Sequence, residues 1–231
     1  MPENLIIAID GPSASGKSTV SRQVAQKLGM VYVDSGALYR GITWKLLREG
    51  VDPLDLEGVL AVLHRSHWEF FVQQHTVHFR VDGEDPWDQL RSAPVRERVA
   101  DVAAIPEVRQ FVNRHLRELT RFGSLVMEGR DIGSVVFPET AFKYYLDADP
   151  EERAKRRYLE VAGKEAGVDY RKIRESLQQR DRKDSTRPTA PLQIPLGARV
   201  INTTGISVEQ VVDLIVRDVQ ERIGKANESG E

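Results

Sequence analysis

Residues 5–9, Leu-Ile-Ile-Ala-Ile, form a short unbroken apolar run that stops at Asp10 and Gly11. An uninterrupted run of this length suits a strand covered on both faces, because a strand with one wet face would alternate apolar and polar residues. Comparable runs recur at 125–127, 142–146 and 199–201, and 30–33 is a further candidate. Between them, apolar residues return every three or four positions over 17–28, 108–121, 151–165, 170–184 and 208–223, which predicts helices with one buried stripe. Buried strands alternating with such helices predict an α/β fold: a parallel sheet with helices on both faces, built from right-handed crossovers.

Two stretches break the alternation. Over 67–81 the residues Trp68, Phe70, Val72, Val77, Phe79 and Val81 alternate with polar ones, the two-residue period of a small antiparallel insert. Residues 180–195 are dense in charge and proline and read as a mobile loop or lid edge. The polar tail 225–231 is expected to fray.

The segment after the first strand carries the clearest chemistry. Gly11-Pro12-Ser13-Ala14-Ser15-Gly16-Lys17-Ser18 matches G-x-x-x-x-G-K-[ST], a spacing that lets successive backbone N–H groups wrap a polyphosphate. A strand precedes it and a helix opens at Lys17, so the positive helix end faces the phosphates while Lys17 reaches the β and γ oxygens. Ser18 is placed to coordinate Mg2+, and Thr19 follows it at the helix start. The motif predicts ATP phosphate binding but does not separate kinases from other P-loop NTPases. No Asn-Lys-x-Asp element occurs, which argues against a GTPase switch.

Charge and composition narrow the partners. The 33 Lys and Arg nearly balance 35 Asp and Glu, so there is no general attraction to nucleic acid, and any anion site has to be built locally. With no cysteine, disulfides and thiolate metal sites are excluded. The longest early apolar stretch is too short for a signal sequence, and no stretch approaches the ~20 apolar residues of a membrane span. The expectation is a cytoplasmic protein with no membrane or nucleic-acid partner.

Two further segments lie where an α/β sheet presents its ligands, at the carboxyl ends of strands. Asp34-Ser35-Gly36-Ala37-Leu38-Tyr39-Arg40 follows the second strand, offering donors from Ser35, Tyr39 and Arg40. Glu128-Gly129-Arg130-Asp131-Ile132-Gly133 ends the 125–127 run; Glu128 would orient Mg2+-bound water and Arg130 would bind a phosphate. With the P-loop, these segments resemble the bacterial cytidylate (CMP) kinase family, a branch of the nucleoside monophosphate kinases, which carries D-S-G-A-x-Y-R and G-R-D-[IM]-G-[ST]. The likeness continues through Ile105-Pro106-Glu107-Val108-Arg109, through 180–187 and into Ala190-Pro191-Leu192, so it spans nearly the whole chain.

The resemblance implies transfer of the ATP γ-phosphate to CMP, with dCMP as a second substrate and Mg2+ as cofactor, in a monomer. It implies that Ser35, Arg109 and Asp131 meet the cytosine and sugar, and that Tyr39, Arg40 and Arg130 hold the CMP phosphate. It further implies that Arg180 and Asp184 reach the ribose hydroxyls and that Arg187 binds phosphate. The family often has serine where Ala100 stands and aspartate where Glu128 stands. Its architecture implies a core of residues 1–34, 123–150 and 198–224, a CMP-binding region with the β insert at about 35–122, and a short helical lid at about 151–190. On that lid Arg153 and Arg157, four residues apart and so on one helix face, are expected to close over the ATP phosphates. Lys17, Arg130, Arg157 and Arg187 form the expected catalytic set. Residues 202–205 are the expected adenine contact.

Other readings remain open at this level. A kinase for UMP, AMP or a small metabolite would share the cradle, as would a nucleotide-gated protein that hydrolyses ATP without an acceptor. Trp68, Phe70 and Trp87 would suit base stacking, but no basic groove accompanies them. The histidines at 64, 67, 75 and 78 lack zinc-site spacing.

Overall fold

The computed structural model describes residues 4–163 and 167–228; residues 164 and 165 of one expected helix and 229–231 of the expected tail lie outside them. The strands are β1 (Ile6–Asp10), β2 (Val31–Asp34), β3 (Trp68–Gln73), β4 (Thr76–Val81), β5 (Leu125–Gly129), β6 (Phe142–Asp147) and β7 (Arg199–Asn202). They form one seven-stranded sheet in the order β3-β4-β2-β5-β1-β6-β7. Every pairing is parallel except that of β3 with β4. The hairpin expected over 67–81 is therefore present, and it extends the edge of the main sheet through Tyr32 opposite Thr76.

The apolar run that opens the chain shows why the sheet is covered on both sides. Ile6 and Ala8 join one core cluster while Ile7 and Ile9 join another, because successive side chains of a strand point to opposite faces. The second cluster packs β1 against α1 (Lys17–Leu28) and α8 (Val208–Glu228). The first packs it against α2 (Ser35–Arg48), α3 (Leu56–Arg65), α4 (Ala93–Val102) and α5 (Pro106–Glu118). Helices α6 (Pro150–Ala162) and α7 (Tyr170–Thr186) pack on each other.

Three helices lie outside the stretches that the apolar spacing singled out. α2 buries nine of its residues, among them Ser35, Gly41 and Thr43, so no polar face marks its period; Asp34 starts it by accepting from Ala37 N–H at 3.1 Å. Asp55 caps α3 in the same way, accepting from Gly58 N–H at 3.1 Å. α4 opens on Pro94 in its first turn and buries Val95, Val99 and Val102. The stretch 180–195 also differs from the expected loop: α7 runs on through Thr186, and only the residues after it are irregular. Charge density alone did not distinguish a solvated helix end from a loop, since both tolerate it.

Candidate active site

The carboxyl ends of β1, β2 and β5 bring three carboxylates, Asp10, Asp34 and Glu128, to one edge of the sheet, with Asp34 in register with Glu128. Gly11 must be glycine there. Its φ is 147°, and a Cβ would lie 2.1 Å from the Leu146 carbonyl oxygen. Ala14 and Gly16 also take positive φ, at 60° and 92°, which curls residues 11–16 into the turn that starts α1. Lys17 is buried and folds back over this turn, donating from Nζ to the Pro12 carbonyl at 2.6 Å. Burial, together with repulsion from Arg130, lowers its pKa to about 7. Thr19 points to the exposed side of α1.

Glu128 is buried, accepts from Tyr32 Oη at 2.6 Å and also accepts from Ser18. Burial, and after it the neighbouring Asp34 charge, raises its pKa above the ordinary carboxylate value. The Ser18 hydroxyl and the Glu128 carboxylate thus meet directly beside Lys17. Hard oxygen donors of this kind, few in number, fit Mg2+ that arrives with nucleotide phosphates and keeps part of its water shell.

Arginines converge on the space beyond. Arg40 donates to Asp34 at 2.6 Å and Arg130 to Asp184 at 2.9 Å. Arg109 is buried against Asp131, donates to the Ala103 carbonyl at 3.1 Å, and lies 5.4 Å from the Tyr39 ring centroid. Arg187 donates to the Ala190 carbonyl at 2.7 Å and stands 3.6 Å from Asp184. Burial, and then the positive charges of Arg130, Arg40 and Arg157, pull Arg180 down to about 10, with Asp184 opposing. Burial works against the charge of Asp184, yet Arg130 and Arg180 outweigh it and hold it ionised below its ordinary value. Ser35 sits against the end of β5, where a Cβ on Gly129 would come within 2.6 Å of its Oγ.

Five buried polar atoms at this place have no hydrogen-bond partner in the protein: Tyr39 Oη, Arg40 Nε, Arg109 Nε, Arg180 Nε and Arg187 Nη2. Leaving a buried donor unpaired costs about 1–3 kcal/mol, and more when it is charged. An anionic, hydrogen-bonding ligand is the kind of group that would satisfy all five together. All five belong to residues singled out from the sequence.

The sequence model of the cytidylate kinase family matches residues 7–221. The chain belongs to the cytidylate kinase family. It is 42% identical over 224 residues to the cytidylate kinase of Geobacillus kaustophilus, covering 97% of this chain and 100% of that one. It is 41% identical over 214 residues to the cytidylate kinase of Caldanaerobacter subterraneus, covering 93% and 94%. A bifunctional pantoate ligase/cytidylate kinase of Synechococcus elongatus is 39% identical over 222 residues, which cover 94% of this chain and 42% of that longer one. In three dimensions, an uncharacterized protein of Eubacterium ventriosum superposes with a TM-score of 0.53 over 94% of this chain and 99% of that one, at 12% identity.

Within this cytidylate kinase family member, the two arginines of α6 that were expected to close over ATP part company. Arg153 is buried and donates to the Ser13 carbonyl at 3.2 Å, the Ala148 carbonyl at 3.2 Å and Asp181 at 2.5 Å, so it braces the phosphate loop from behind. Arg157 donates to Glu160 at 2.8 Å and lies close enough to Arg180 to lower its pKa. Arg156, absent from the sequence-based set, donates to Thr203 at 3.0 Å (Oγ1) and 2.8 Å (carbonyl), and Thr203 Oγ1 donates to the Ser15 carbonyl at 3.1 Å. The expected adenine segment 202–205 thereby touches the phosphate loop. Tyr32, Asp10 and Asp181 were missed as well. A tyrosine in a strand otherwise built of valine, and a carboxylate closing an apolar run just before the glycine loop, were the signals available for the first two.

No helix among the described residues is long and apolar enough to cross a membrane, and no group of three or more His, Cys, Asp or Glu among them could hold a metal ion. Trp68 and Trp87 pack on Phe79, at centroid distances of 5.1 and 5.5 Å, so they are committed to the core.

Proposed function

We propose that this protein transfers the γ-phosphate of ATP to CMP and dCMP, giving ADP with CDP or dCDP. The observation that carries the reading is the set of five unpartnered buried donors on Tyr39, Arg40, Arg109, Arg180 and Arg187, which lie within electrostatic reach of one another around Asp131 and Asp184. A nucleoside monophosphate supplies a dianionic group for the arginines and a polar base edge for the Arg109–Asp131 pair. In this reading Ser35, Arg109 and Asp131 hold the base and sugar, and Tyr39, Arg40 and Arg130 hold the phosphate. Arg180 and Asp184 reach the ribose, and Arg187 reaches phosphate.

Transfer to a phosphate oxygen needs no general base, because the acceptor is already largely anionic near neutral pH. The obstacle is to bring two polyanions into line, so what the site supplies is positive charge, fixed geometry and exclusion of water. Lys17 serves the β and γ oxygens. Residues 11–16, with Ser18 and Thr19, wrap the ATP phosphates; Arg157 approaches them from the lid, while Arg153 acts by holding the Ser13 carbonyl and so the shape of the loop. The pairing of Arg40 with Asp34 and of Arg130 with Asp184 fixes two guanidiniums in advance, so less side-chain freedom is lost when the phosphate arrives. Mg2+ held by Ser18, with Glu128 reaching its water, would neutralise charge on the transferring phosphoryl group. The division into core, CMP-binding region (about 35–122) and closing lid (about 151–190), acting as a monomer, belongs to the same proposal.

The test is a coupled ADP-release assay with CMP, dCMP, UMP and AMP as acceptors. CMP and dCMP are expected to give the highest kcat/KM. A preference for AMP, or ATP turnover that needs no acceptor and survives Arg40→Ala and Arg130→Ala, overturns the reading.

A further inference from the structure

Asp10 is fully buried and stands between the phosphate loop and the turn that follows Asp131. It ends β1 and immediately precedes Gly11 of the phosphate loop. Its Oδ1 accepts from Ile132 N–H and its Oδ2 from Gly133 N–H, both at 2.8 Å. Those two N–H groups open a π-helical turn, Ile132–Val136, whose later amides close on Asp131: Val135 N–H and Val136 N–H donate to the Asp131 carbonyl at 2.9 and 3.2 Å. Asp131 thus has its backbone pinned on both sides of the turn while its carboxylate receives Arg109.

A carboxylate in this position is costly to keep. Burial raises the Asp10 pKa to about 6, and Asp131 adds to the rise, although the two backbone hydrogen bonds and Lys17 oppose it. An asparagine or serine would make fewer demands. What only a carboxylate offers is two equivalent acceptors that grip two consecutive N–H groups at once.

We infer that Asp10 is a positioning residue for cytosine recognition: by gripping Ile132 and Gly133 from the base of the phosphate loop, it sets the direction in which Asp131 presents Arg109 to the base. The inference rests on the proposed placement of cytosine against Arg109 and Asp131. It adds a rigid link of one carboxylate between the ATP cradle and the nucleobase reader.

Asp10→Asn keeps the shape and one acceptor but turns an NH2 group against the second N–H. Its expected signature is selective: the KM for CMP rises tenfold or more and the ratio of kcat/KM for CMP over UMP falls, while a fluorescent ATP analogue binds within about threefold of the parent and the Tm identifies a folded protein. Unchanged CMP kinetics, or equal losses toward CMP and the ATP analogue, overturn it. Asp131→Asn is measured in parallel. If it also leaves CMP binding intact, the base-reading assignment falls and takes the inference with it; if it weakens CMP binding while Asp10→Asn does not, the inference alone falls.

Should Asp10→Asn not fold, the unaltered protein gives the answer by NMR. The amide protons of Ile132 and Gly133 are expected to titrate together near pH 6, and the side-chain resonances of Arg109 are expected to follow them. The titratable groups facing Asp10 are Asp131, Lys17 and, across the sheet on β6, Tyr145, which stays neutral near pH 6, so the same titration is followed in Lys17→Met to separate the influence of the lysine. Amides that titrate with no response at Arg109 refute the link.

Discussion

The Tyr32 hydroxyl reaches from β2 to the neighbouring β5 and donates to Glu128 Oε1 at 2.6 Å. Tyr32 is itself fully enclosed, with the Arg22 guanidinium 5.1 Å from its ring centroid, so the carboxylate is held by a rigid rather than a swinging donor. Glutamate is one methylene longer than aspartate, and the tyrosine removes the freedom that extra length brings. Tyr32→Phe preserves the ring and deletes the tether. If Glu128 reaches a metal-bound water as proposed, the loss is expected to raise the Mg2+ concentration needed for half-maximal activity by about tenfold, the lower range for loss of an outer-shell partner, with little change in the KM for CMP. Mn2+ titration of the ADP complex by electron paramagnetic resonance checks the affinity directly; an unchanged affinity removes Tyr32 from metal positioning.

Lys17 predicts a proton balance. Its pKa stands at about 7 in the folded protein against 10.5 for an ordinary lysine, so between these values the unfolded chain holds a proton that the folded one has released. More protons on the unfolded state mean that this group's contribution to stability rises with pH across that window, and below about pH 7 the charged form carries its full burial cost. Nucleotide phosphates restore the charge. ATP-analogue binding at about pH 8 should therefore take up close to one proton, seen by calorimetry in buffers of different ionisation enthalpy, and Lys17→Met should abolish the uptake.

The lid arginines are separable by experiment. Arg153→Ala strips acceptors at Ser13, Ala148 and Asp181 of their donor, so stability should fall by about 1–3 kcal/mol along with turnover. Arg157→Ala loses a half-exposed pair with Glu160, so the Tm should hold while kcat falls by about tenfold or more if Arg157 reaches the transferring phosphoryl group. Turnover that survives Arg157→Ala excludes it from the phosphate site.

Gly41 on α2 faces Phe79 of β4 so closely that a Cβ would lie 2.7 Å from two ring atoms. Phe79 has no exposed surface and packs at tilted angles among Trp68, Phe70 and Trp87, leaving it little room to retreat. Gly41→Ala is expected to destabilise by about 1–3 kcal/mol through overpacking, a fall in Tm of roughly 2–12 °C for a chain of this size. Because α2 also carries Tyr39 and Arg40, the KM for CMP should rise with it. Thermal unfolding and acceptor kinetics on the same preparation decide both.

Much was legible in the chain because its strongest signals are local. The strand at 5–9, the glycine turn and the helix from Lys17 are adjacent in sequence, and each is dictated by short-range rules: apolar continuity, positive φ at Gly11 and Gly16, and amide groups that a helix start leaves free. The resemblance that singled out Tyr39, Arg40, Arg109, Arg180 and Arg187 likewise needed no coordinates, and these are the residues that carry the orphaned donors.

What the sequence could not decide were relations between distant residues of one charge type. Nothing local separates Arg153, which braces the loop at Ser13, from Arg156, which reaches Thr203, since burial depends on what α6 packs against. The deeply buried α2 hid its period because both faces are covered, and the hairpin's union with the main sheet rests on Tyr32 meeting Thr76 across more than forty residues. Asp10 is the plainest case. The sequence places a carboxylate before a phosphate loop; only the folded chain puts two amides of residues 132 and 133 within its grasp, because a hydrogen bond is specified by position in space and not by separation along the chain.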